Sequence, residues 1–470
     1  MPTVEEHLQA AWKIHQSGNV QQAMQAYRQV LDQVPKNANA WCYLGIALHD
    51  QRRYQEAVAA YEKAIAIQPN FPIAWNNMGN SLRYALRPAD AEKAFQKALV
   101  QNPNYVNAYK NRGTFHAWSG NLELALQSYS KAMKLSPDEP ETHRNIGVIS
   151  LLKGDFENGW NEYRWRWRCP EAAKYAYSQP KWQGQDLQGK TILLYAEQGL
   201  GDTLQFIRFA KVLHDQGANT IVHAQPALMA IFGFAENKLA LGIDRYVPNS
   251  LPIDFPFDYH CSLLDVADVL HTIVDTIPMP QAYLKASPSL THYWSSWLNQ
   301  LPKSKRKVGL VWQGNKDHQA DIFRSFSLST YEPLSNLDDI QFISLQQGYG
   351  ADQAPLWKGS RPLITLPDGT DQSGGAFMDT AAILSQIDLL ITSDTSIAHL
   401  AGALGRPAWV LLNKMPDWRW LLDRDDSPWY DSVRLFRQST QSDWAEVIQQ
   451  VKAALTNTEP MALATGDARR

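Results

Sequence analysis

The sequence predicts a fold in two parts: an N-terminal α-solenoid of helical hairpins, followed by a pair of doubly wound α/β halves. Two observations support this prediction. Residues up to 168 repeat with a period of 34, whereas β-branched runs alternate with helical patterns from about 185 onward. The chain has 470 residues, of which 44% are hydrophobic and 19% charged. It is therefore long enough for about three ordinary folded domains.

Composition excludes several classes of protein. The formal net charge of -3 gives no basic excess, which argues against nucleic acid as a partner. The three cysteines, Cys42, Cys169 and Cys261, form neither a CxxC pair nor a disulfide framework, which favours a reducing compartment. The first residues lack a secretion signal, and no run reaches the ~18 apolar residues of a membrane span. We therefore expect a cytoplasmic protein without a membrane span.

Four kinds of residue recur every 34 positions in the first part. A small residue lets two helices approach closely, an aromatic residue fills the groove between hairpins, and proline ends the second helix. The recurring sets are the prolines Pro35, Pro69, Pro103 and Pro137, the glycines Gly45, Gly79, Gly113 and Gly147, the alanines Ala23, Ala57, Ala91 and Ala125, and the aromatic residues Tyr27, Tyr61, Phe95, Tyr129 and Tyr163.

This pattern resembles the tetratricopeptide repeat family. The strings WCYLG and AVAAY, followed by Pro69, match the positions that define that family. The resemblance covers residues 4 to 168, with four full repeats and a degenerate fifth, and implies a repeat domain at 1–168. We interpret YRWRWR at its end as a cap that seals the stack against the next domain. Stacking of its Arg and Trp side chains on nucleic-acid bases is the alternative.

Asn77, Asn111 and Asn145 share one face of the repeats at the 34-residue period. Repeat arrays bind peptides or partner helices on a concave surface. An Asn side chain has one acceptor and two donors, so it can pair with a peptide backbone without reading its sequence. These three residues are therefore candidate peptide-binding residues. A purely structural role is the alternative, because Asn is common at this position in repeat scaffolds.

The second part alternates strand and helix patterns. A linker at 169–189 precedes β-branched runs that predict strands over 191–196, 220–224, 308–312, 341–345, 388–392 and 408–412. A last helix is expected near 444–455. We therefore expect two doubly wound halves, at 190–302 and 303–457, and a disordered tail at 458–470.

The first of these strands leads into the turn EQGLGDTLQF. Gly199 and Gly201 provide the first two glycines of a dinucleotide-binding fingerprint, but Leu204 stands at the third position. No acidic residue follows the next strand to hold a ribose, which argues against a nicotinamide-dependent dehydrogenase. The turn presents Asp202 at a helix start, either as an N-cap or as a carboxylate that accepts a proton.

A second unusual segment, SDTSIAHLAGALGRP, follows the strand at 388–392. Asp394 lies in the turn before a helix whose free amides and dipole favour an anion such as a diphosphate. Thr395 and Ser396 add hydroxyl donors, and His399 lies on the same helix face as Thr395. A packed core histidine is the structural alternative for His399.

Together, GDTLQFIRFAKVL and DTSIAHLAGALGRPAWVLL resemble glycosyltransferase family 9, which includes the lipopolysaccharide heptosyltransferases. The resemblance covers residues 190 to 455 and implies a GT-B fold and an inverting transfer from a nucleotide sugar. Heptosyltransferases have no repeat array, so the acceptor is left open as a protein or another glycan. The O-linked N-acetylglucosamine transferases are similar in carrying repeats, with the same Asn ladder, ahead of a transferase.

This resemblance implies roles for individual residues. Asp202 matches the general base of the family. The implied donor-binding residues are Gly199, Gly201, Lys316, Arg324, Asp394, Thr395, Ser396 and His399. Lys316 and Arg324 are the basic candidates in the loop after VGLVW, although the spacing of this loop differs from that of heptosyltransferases.

The tryptophan-rich segment PDWRWLLDRDD leaves two alternatives open. Trp418 and Trp420 either stack on a base or sugar or pack at the rim of the cleft. Asp423 and Asp425 form the D-x-D motif that binds metal in GT-A transferases. A GT-B enzyme instead meets diphosphate charge with a helix dipole and cations. We therefore expect no metal ion and no cofactor, because the nucleotide sugar is a substrate.

The leading hypothesis is a glycosyltransferase that moves a sugar from a nucleotide-sugar donor to an acceptor hydroxyl. In this hypothesis the repeats recruit a protein acceptor or partner. The alternative from another class is a repeat scaffold whose transferase-like domain is catalytically inactive. A GT-B epimerase or phosphorylase is a further enzymatic alternative.

Overall fold

The chain forms two compact units, Met1–Ile149 and Ser150–Arg470, in a computed structural model. The structure describes residues 3–172, 175, 177–302, 306–318 and 320–457. The predicted disordered tail lies outside the described residues. No helix in these ranges combines the length and apolarity needed to cross a membrane.

The first unit consists of antiparallel helical pairs, as the 34-residue period predicts. The pairs α1–α2, α3–α4, α5–α6 and α7–α8 each pack together, and successive pairs pack on each other. Pro72, Pro88 and Pro140 start three of these helices at a position where the missing amide of proline is not needed. The helices are α1 (Val4–Gln16), α2 (Val20–Gln33), α3 (Ala38–Asp50), α4 (Tyr54–Ile67), α5 (Pro72–Tyr84), α6 (Pro88–Gln101), α7 (Val106–Trp118), α8 (Leu122–Leu135) and α9 (Pro140–Leu152).

The recurring glycines and aromatic residues meet inside three of the helical pairs. A Cβ atom on Gly79 of α5 would lie 2.7 Å from Cε1 of Phe95 on α6, closer than side chains pack. The same close approach joins Gly45 to Tyr61 and Gly113 to Tyr129. The two recurring positions are therefore halves of one contact, in which the absent side chain makes room for a ring.

The second unit begins before the predicted end of the repeats. Helix α10 (Phe156–Tyr163) and the 3-10 helix Arg164–Arg168 belong to this unit and pack on its α/β part. The Trp160 indole donates to the carbonyl of Thr272 at 2.9 Å, and Arg164 binds both carboxylate oxygens of Asp268. The segment predicted as a tryptophan cap is therefore attached by its arginines as well.

The first sheet is parallel, with the strand order β3-β2-β1-β4. Its strands are β1 (Thr191–Tyr195), β2 (Asn219–Ala224), β3 (Arg245–Pro248) and β4 (Tyr259–Ser262). Its helices are α11 (Leu200–Phe206), α12 (Arg208–Asp215), α13 (Met229–Gly233), α14 (Ala235–Ala240) and α15 (Leu263–Val269), with 3-10 turns at Pro226–Leu228 and Val274–Thr276.

The second sheet has the order β10-β11-β9-β8-β5-β6-β7 and is parallel except for the pair β10–β11. After α16 (Pro288–Leu298) come β5 (Arg306–Val311), α17 (Asp321–Arg324), β6 (Ile340–Ser344), β7 (Leu363–Thr365), α18 (Met378–Leu384), β8 (Leu389–Ser393), α19 (Ser396–Ala403), β9 (Ala408–Leu412), β10 (Asp426–Ser427), β11 (Tyr430–Arg437) and α20 (Trp444–Thr456). Further 3-10 helices are Leu328–Asn336, Ala351–Leu356 and Trp418–Trp420.

All six predicted strands and the last helix are confirmed. Both sheets are wound in two directions from a central strand, the order typical of dinucleotide-binding folds. The sequence analysis missed β3, β4, β7, β10 and β11. Strands β3, β4, β7 and β10 have two to four residues each, too few for a periodic signal to develop.

The chain crosses back between the two halves before the predicted boundary at 302. The amides of Tyr283 and Leu284 both donate to the carbonyl of Ala403 in α19, at 2.9 Å. On α16, the Trp294 indole donates to Asp379 of α18 at 2.8 Å. The segment at 283–285 therefore contacts both halves, because Asn237 of α14 bonds the backbone of Lys285, and α16 packs on the second half.

Candidate functional site

Each sheet has one point at which its strand order reverses, between β1 and β4 in the first and between β5 and β8 in the second. Ligands of doubly wound folds bind outside the carboxyl ends of the strands at such points. The turn at 197–202 follows β1, and Asp394 and Thr395 follow β8. Both predicted segments therefore lie where a ligand crevice is expected.

Asp202 lies in the first turn of α11, and both of its carboxylate oxygens are engaged. The backbone amide of Gly199 donates to Oδ2 at 2.9 Å, which caps the helix. The guanidinium of Arg419 forms an ion pair with Oδ1. The side chain is still 26% exposed. The N-cap residue of α11 is Gly199, so Asp202 is not the N-cap that the sequence analysis named as the alternative; it lies at the third helical position, where its side chain accepts from the N-cap amide, and it has a cationic partner.

Arg419 is a residue of this site that the sequence analysis missed. It is buried in the 3-10 turn Trp418–Trp420 and also binds Asp417 at 2.8 Å and the Gln198 side chain at 3.3 Å. Burial alone lowers the pKa of this guanidinium, but Asp202 and Asp417 outweigh burial and raise the pKa above its usual value. The only signal in the sequence was its place between two tryptophans.

The two tryptophans beside Arg419 are packing residues. Trp418 is buried and meets Trp160 of α10 edge-on, with ring centroids 5.4 Å apart. Trp420 is buried and stacks on His399, with centroids 5.2 Å apart. Neither ring therefore has a free face on which a base or sugar could stack.

His399 lies at the contact between the two halves. Its Nδ1 hydrogen-bonds the Tyr430 hydroxyl at 3.0 Å, and the ring approaches Gly201 of α11. A Cβ atom on Gly201 would lie 2.8 Å from His399 Cδ2 and 3.5 Å from Ser396 Cα. The absent side chain at Gly201 therefore lets α11 pack directly on the first turn of α19.

Burial lowers the pKa of His399 to about 3, and the nearby Arg419 acts in the same direction. The imidazole is therefore neutral at neutral pH. A neutral imidazole whose Nδ1 accepts from Tyr430 carries its proton on Nε2 and can donate it to an anion.

The first turn of α19 offers several polar groups. Thr395 is the extended N-cap residue, half-buried, with its hydroxyl 3.2 Å from that of Thr392. The Ser393 hydroxyl is buried and has no hydrogen-bond partner among the described residues. Burial raises the pKa of Asp394 to about 6, although the positive charge of Arg324 opposes this shift. The turn thus combines free donors with a carboxyl group that is easily protonated.

The loop after β5 contributes Arg324 to this region. The Arg324 guanidinium acts on the pKa values of both Asp394 and His399. Lys316 lies over the ring of Tyr349, with its Nζ 4.5 Å from the ring centroid. The charge of Arg324 therefore reaches the α19 turn.

Asp423 and Asp425 of the D-x-D motif are both exposed. Within the described part of the chain, no cluster of His, Cys, Asp or Glu side chains has the arrangement of a metal site.

In the repeats, the candidate peptide-binding Asn residues take part in hydrogen bonds within the protein itself. Asn77, Asn111 and Asn145 lie half-buried on α5, α7 and α9. Asn76 donates to Asn77 at 3.1 Å, and Asn111 donates to Asn76 at 3.0 Å. Asn76 and Asn111 therefore link α5 to α7, and Asn145 donates to the Thr114 hydroxyl of α7 at 3.4 Å.

Comparison with known proteins identifies the repeats. Residues 16–72 and 76–140 match a family model described as tetratricopeptide repeat. Protein FlbA of Caulobacter vibrioides is 28% identical over 329 residues, which cover 63% of this chain and 52% of FlbA. The chain thus spans about half the length of this relative. The matched share exceeds the first unit, so the alignment extends into the α/β unit.

Solved structures similar to this chain match about a third of it. MamA from Desulfovibrio magneticus RS-1 is 20% identical, with a TM-score of 0.31, over 34% of this chain and 91% of MamA. TTC0263, a repeat protein of Thermus thermophilus, is 17% identical, with a TM-score of 0.32, over 34% of this chain and 89% of its own. The family model and the glycine–aromatic contacts together identify the helical pairs of the first unit as tetratricopeptide repeats.

Proposed function

We propose that the second unit is an inverting glycosyltransferase that uses a nucleotide-sugar donor, and that the repeats recruit a protein acceptor or partner. The observation that carries this proposal is the contact of Gly201 with His399. Through this contact, the helix that carries Asp202 on the first half lies against the first turn of α19 on the second half, which we propose as the anion site. An acceptor hydroxyl and a donor diphosphate need these two chemistries side by side.

The first turn of α19 supplies the donor side. Its free amides and helix dipole attract phosphate oxygens, and the hydroxyls of Thr395 and Ser396 add donors. The neutral His399 adds one further N–H donor, and Arg324 adds positive charge. These groups would stabilise the negative charge that develops on the leaving diphosphate.

Asp202 supplies the acceptor side. It would take the proton of the acceptor hydroxyl while the oxygen forms a bond to the anomeric carbon of the sugar. The bond from that carbon to the phosphate oxygen breaks on the opposite face, so the configuration inverts and the nucleoside diphosphate leaves. No bond to the protein forms in this scheme, and Arg419 and the Gly199 amide hold the carboxylate in place.

One observation favours the alternative of an inactive scaffold. Both carboxylate oxygens of Asp202 already have partners within the protein, so the group also fits a purely structural cap. In that case the repeats alone would carry the function, through protein binding.

Ligand binding distinguishes the two possibilities. We expect one nucleoside diphosphate or nucleotide sugar of a panel to raise the melting temperature of the full chain. The Thr395→Ala variant should lose this shift, whereas Thr456→Ala, an exposed threonine at the end of α20, should keep it. Absence of any nucleotide-dependent shift would support the scaffold.

A further inference from the structure

A buried arginine outside the predicted site closes the crevice of the first sheet. Arg166, in the 3-10 helix Arg164–Arg168, is only 9% exposed. Its guanidinium binds both oxygens of Glu197, at 2.8 and 3.0 Å, and Asp265 at 2.5 Å. Glu197 follows β1, and Asp265 lies in the first turn after β4. Arg166 therefore bridges the two strand ends at the point where the strand order reverses.

The arrangement of these charges fixes the chain after β1. Burial raises the pKa of Glu197, and the Arg166 guanidinium counteracts part of that shift. A two-pronged guanidinium–carboxylate contact defines direction as well as distance. Glu197 is thereby held in one orientation immediately before the turn that carries Asp202.

The next residue along this turn is held from the same segment. The Gln198 amide donates to the Tyr163 hydroxyl at 3.0 Å, and its oxygen accepts from Arg419 at 3.3 Å. The Gln225 side chain donates to the Gln198 carbonyl at 2.7 Å. Side chain and backbone of Gln198 are both fixed, one residue before the Gly199 amide that binds Asp202.

We propose that Arg166 and Tyr163 are positioning residues for Asp202: they hold Glu197 and Gln198 so that the carboxylate faces α19. This inference rests on the proposed function, in which Asp202 accepts the proton. Neither residue touches Asp202, so each acts through the turn. In a free-standing doubly wound half, a ligand would occupy the crevice between β1 and β4. In this protein Arg166 fills that crevice and holds the turn at 197–203.

The test uses two conservative variants of the full chain with matched controls. Arg166→Lys keeps the charge but loses the two-pronged contact, so the buried carboxylates are not left unpaired. Tyr163→Phe removes only the hydroxyl that accepts from Gln198. Arg164→Lys alters a neighbouring arginine bound to Asp268, and Tyr177→Phe removes a hydroxyl bound to His223. The partners of both control residues lie outside the turn at 197–203.

Hydrogen–deuterium exchange gives a readout that does not depend on activity. We expect backbone amides within 197–203 to exchange about fivefold faster in Arg166→Lys and Tyr163→Phe, the effect of losing one hydrogen bond. The two control variants should match the parent protein in this segment. Unchanged exchange of the turn in both test variants would overturn the proposal.

Kinetics of donor hydrolysis show whether the effect passes through Asp202. We expect kcat to fall by about 10- to 100-fold in Arg166→Lys, with KM for the donor unchanged, because a small displacement of a reacting group costs rate. In the Asp202→Asn background, Arg166→Lys should cause no further loss. A full further loss would overturn the proposal. If Asp202→Asn itself retains the full rate, Asp202 is not the general base and the proposed function is wrong. Hydrogen–deuterium exchange then decides by itself whether Arg166 and Tyr163 hold the turn.

Discussion

Asp202 and Arg419 form an ion pair that joins the helix start after β1 to the 3-10 turn after β9. Arg419 also binds Asp417 and Gln198, so its position is fixed from both halves. Together with the Gly199 amide, it gives the carboxylate a single orientation. A preoriented carboxylate beside the start of α19, the proposed diphosphate site, is the arrangement that the proposed reaction requires.

The first prediction concerns Asp202. The Asn side-chain oxygen can still accept from the Gly199 amide, but the variant removes one of the two carboxylates that pair with the buried Arg419, so we expect Asp202→Asn to fold with a destabilisation of about 1–3 kcal/mol. Asn cannot accept the proton, so we expect transfer or donor hydrolysis to fall by about 10²- to 10⁴-fold, with donor affinity retained. Steady-state kinetics with parallel binding measurements test this. Full activity in the variant would leave Asp202 as a cap only.

The second prediction concerns the donor side. His399→Ala and Thr395→Ala should each weaken nucleotide binding by about 10- to 100-fold, because each removes a hydrogen bond to a charged group. Calorimetric titration measures the loss, and circular dichroism checks that the fold is retained. Thr456→Ala serves as the control. Nucleotide affinity that stays at the parent level in both variants would contradict the assignment of the α19 turn.

The third prediction follows from the pKa of Asp394, which burial raises to about 6. Below that pH the group is neutral; above it, its negative charge repels a bound phosphate. Affinity for a nucleotide sugar should therefore fall as pH rises through about 6, by at most about tenfold per pH unit. His399, with a pKa of about 3, stays neutral throughout this window.

Asp394→Asn should remove this pH dependence and keep the affinity that the parent protein shows at low pH. A nucleotide sugar is the right probe, because its phosphodiester groups do not titrate near the pKa of Asp394. A parent protein whose affinity is flat across this range would show that Asp394 does not face the phosphates.

The fourth prediction concerns metal. Since protein groups would meet the diphosphate charge, donor hydrolysis should proceed at the same rate with and without EDTA. Asp423→Asn and Asp425→Asn should have no effect on the rate. Loss of activity in EDTA, restored by manganese or magnesium, would instead identify the exposed D-x-D motif as a metal site.

The fifth prediction concerns Gly201. The added methyl group of Gly201→Ala would lie 2.8 Å from His399 Cδ2, so the two halves must shift or the ring must turn. We expect destabilisation of about 1–3 kcal/mol by chemical denaturation, and weaker nucleotide binding. Gly233→Ala is the control, since a Cβ atom there meets nothing within 4 Å. Equal stability of the two variants would contradict the close packing of α11 on α19.

Local patterns predicted much of this fold. The 34-residue period indicated the helical pairs, and β-branched runs indicated β1, β2, β5, β6, β8 and β9, because such signals depend only on neighbouring residues. The glycine turn and the SDTS segment were also found this way, since tight turns and helix starts need particular residues. Strands of a few residues, such as β7, were missed because their pairing energy comes from the sheet.

The sequence by itself determined which segments carry the candidate chemistry, and the tertiary structure decided which side chains meet. Asp202 and Arg419 are far apart in the chain, and an ion pair between distant residues leaves no periodic trace. Arg166 lies in a segment that the sequence analysis interpreted through its tryptophans. The arginine can be buried because Glu197 and Asp265, which are distant in sequence, neutralise its charge. Such pairings depend on how the sheets bring strand ends together, which is a property of the whole fold.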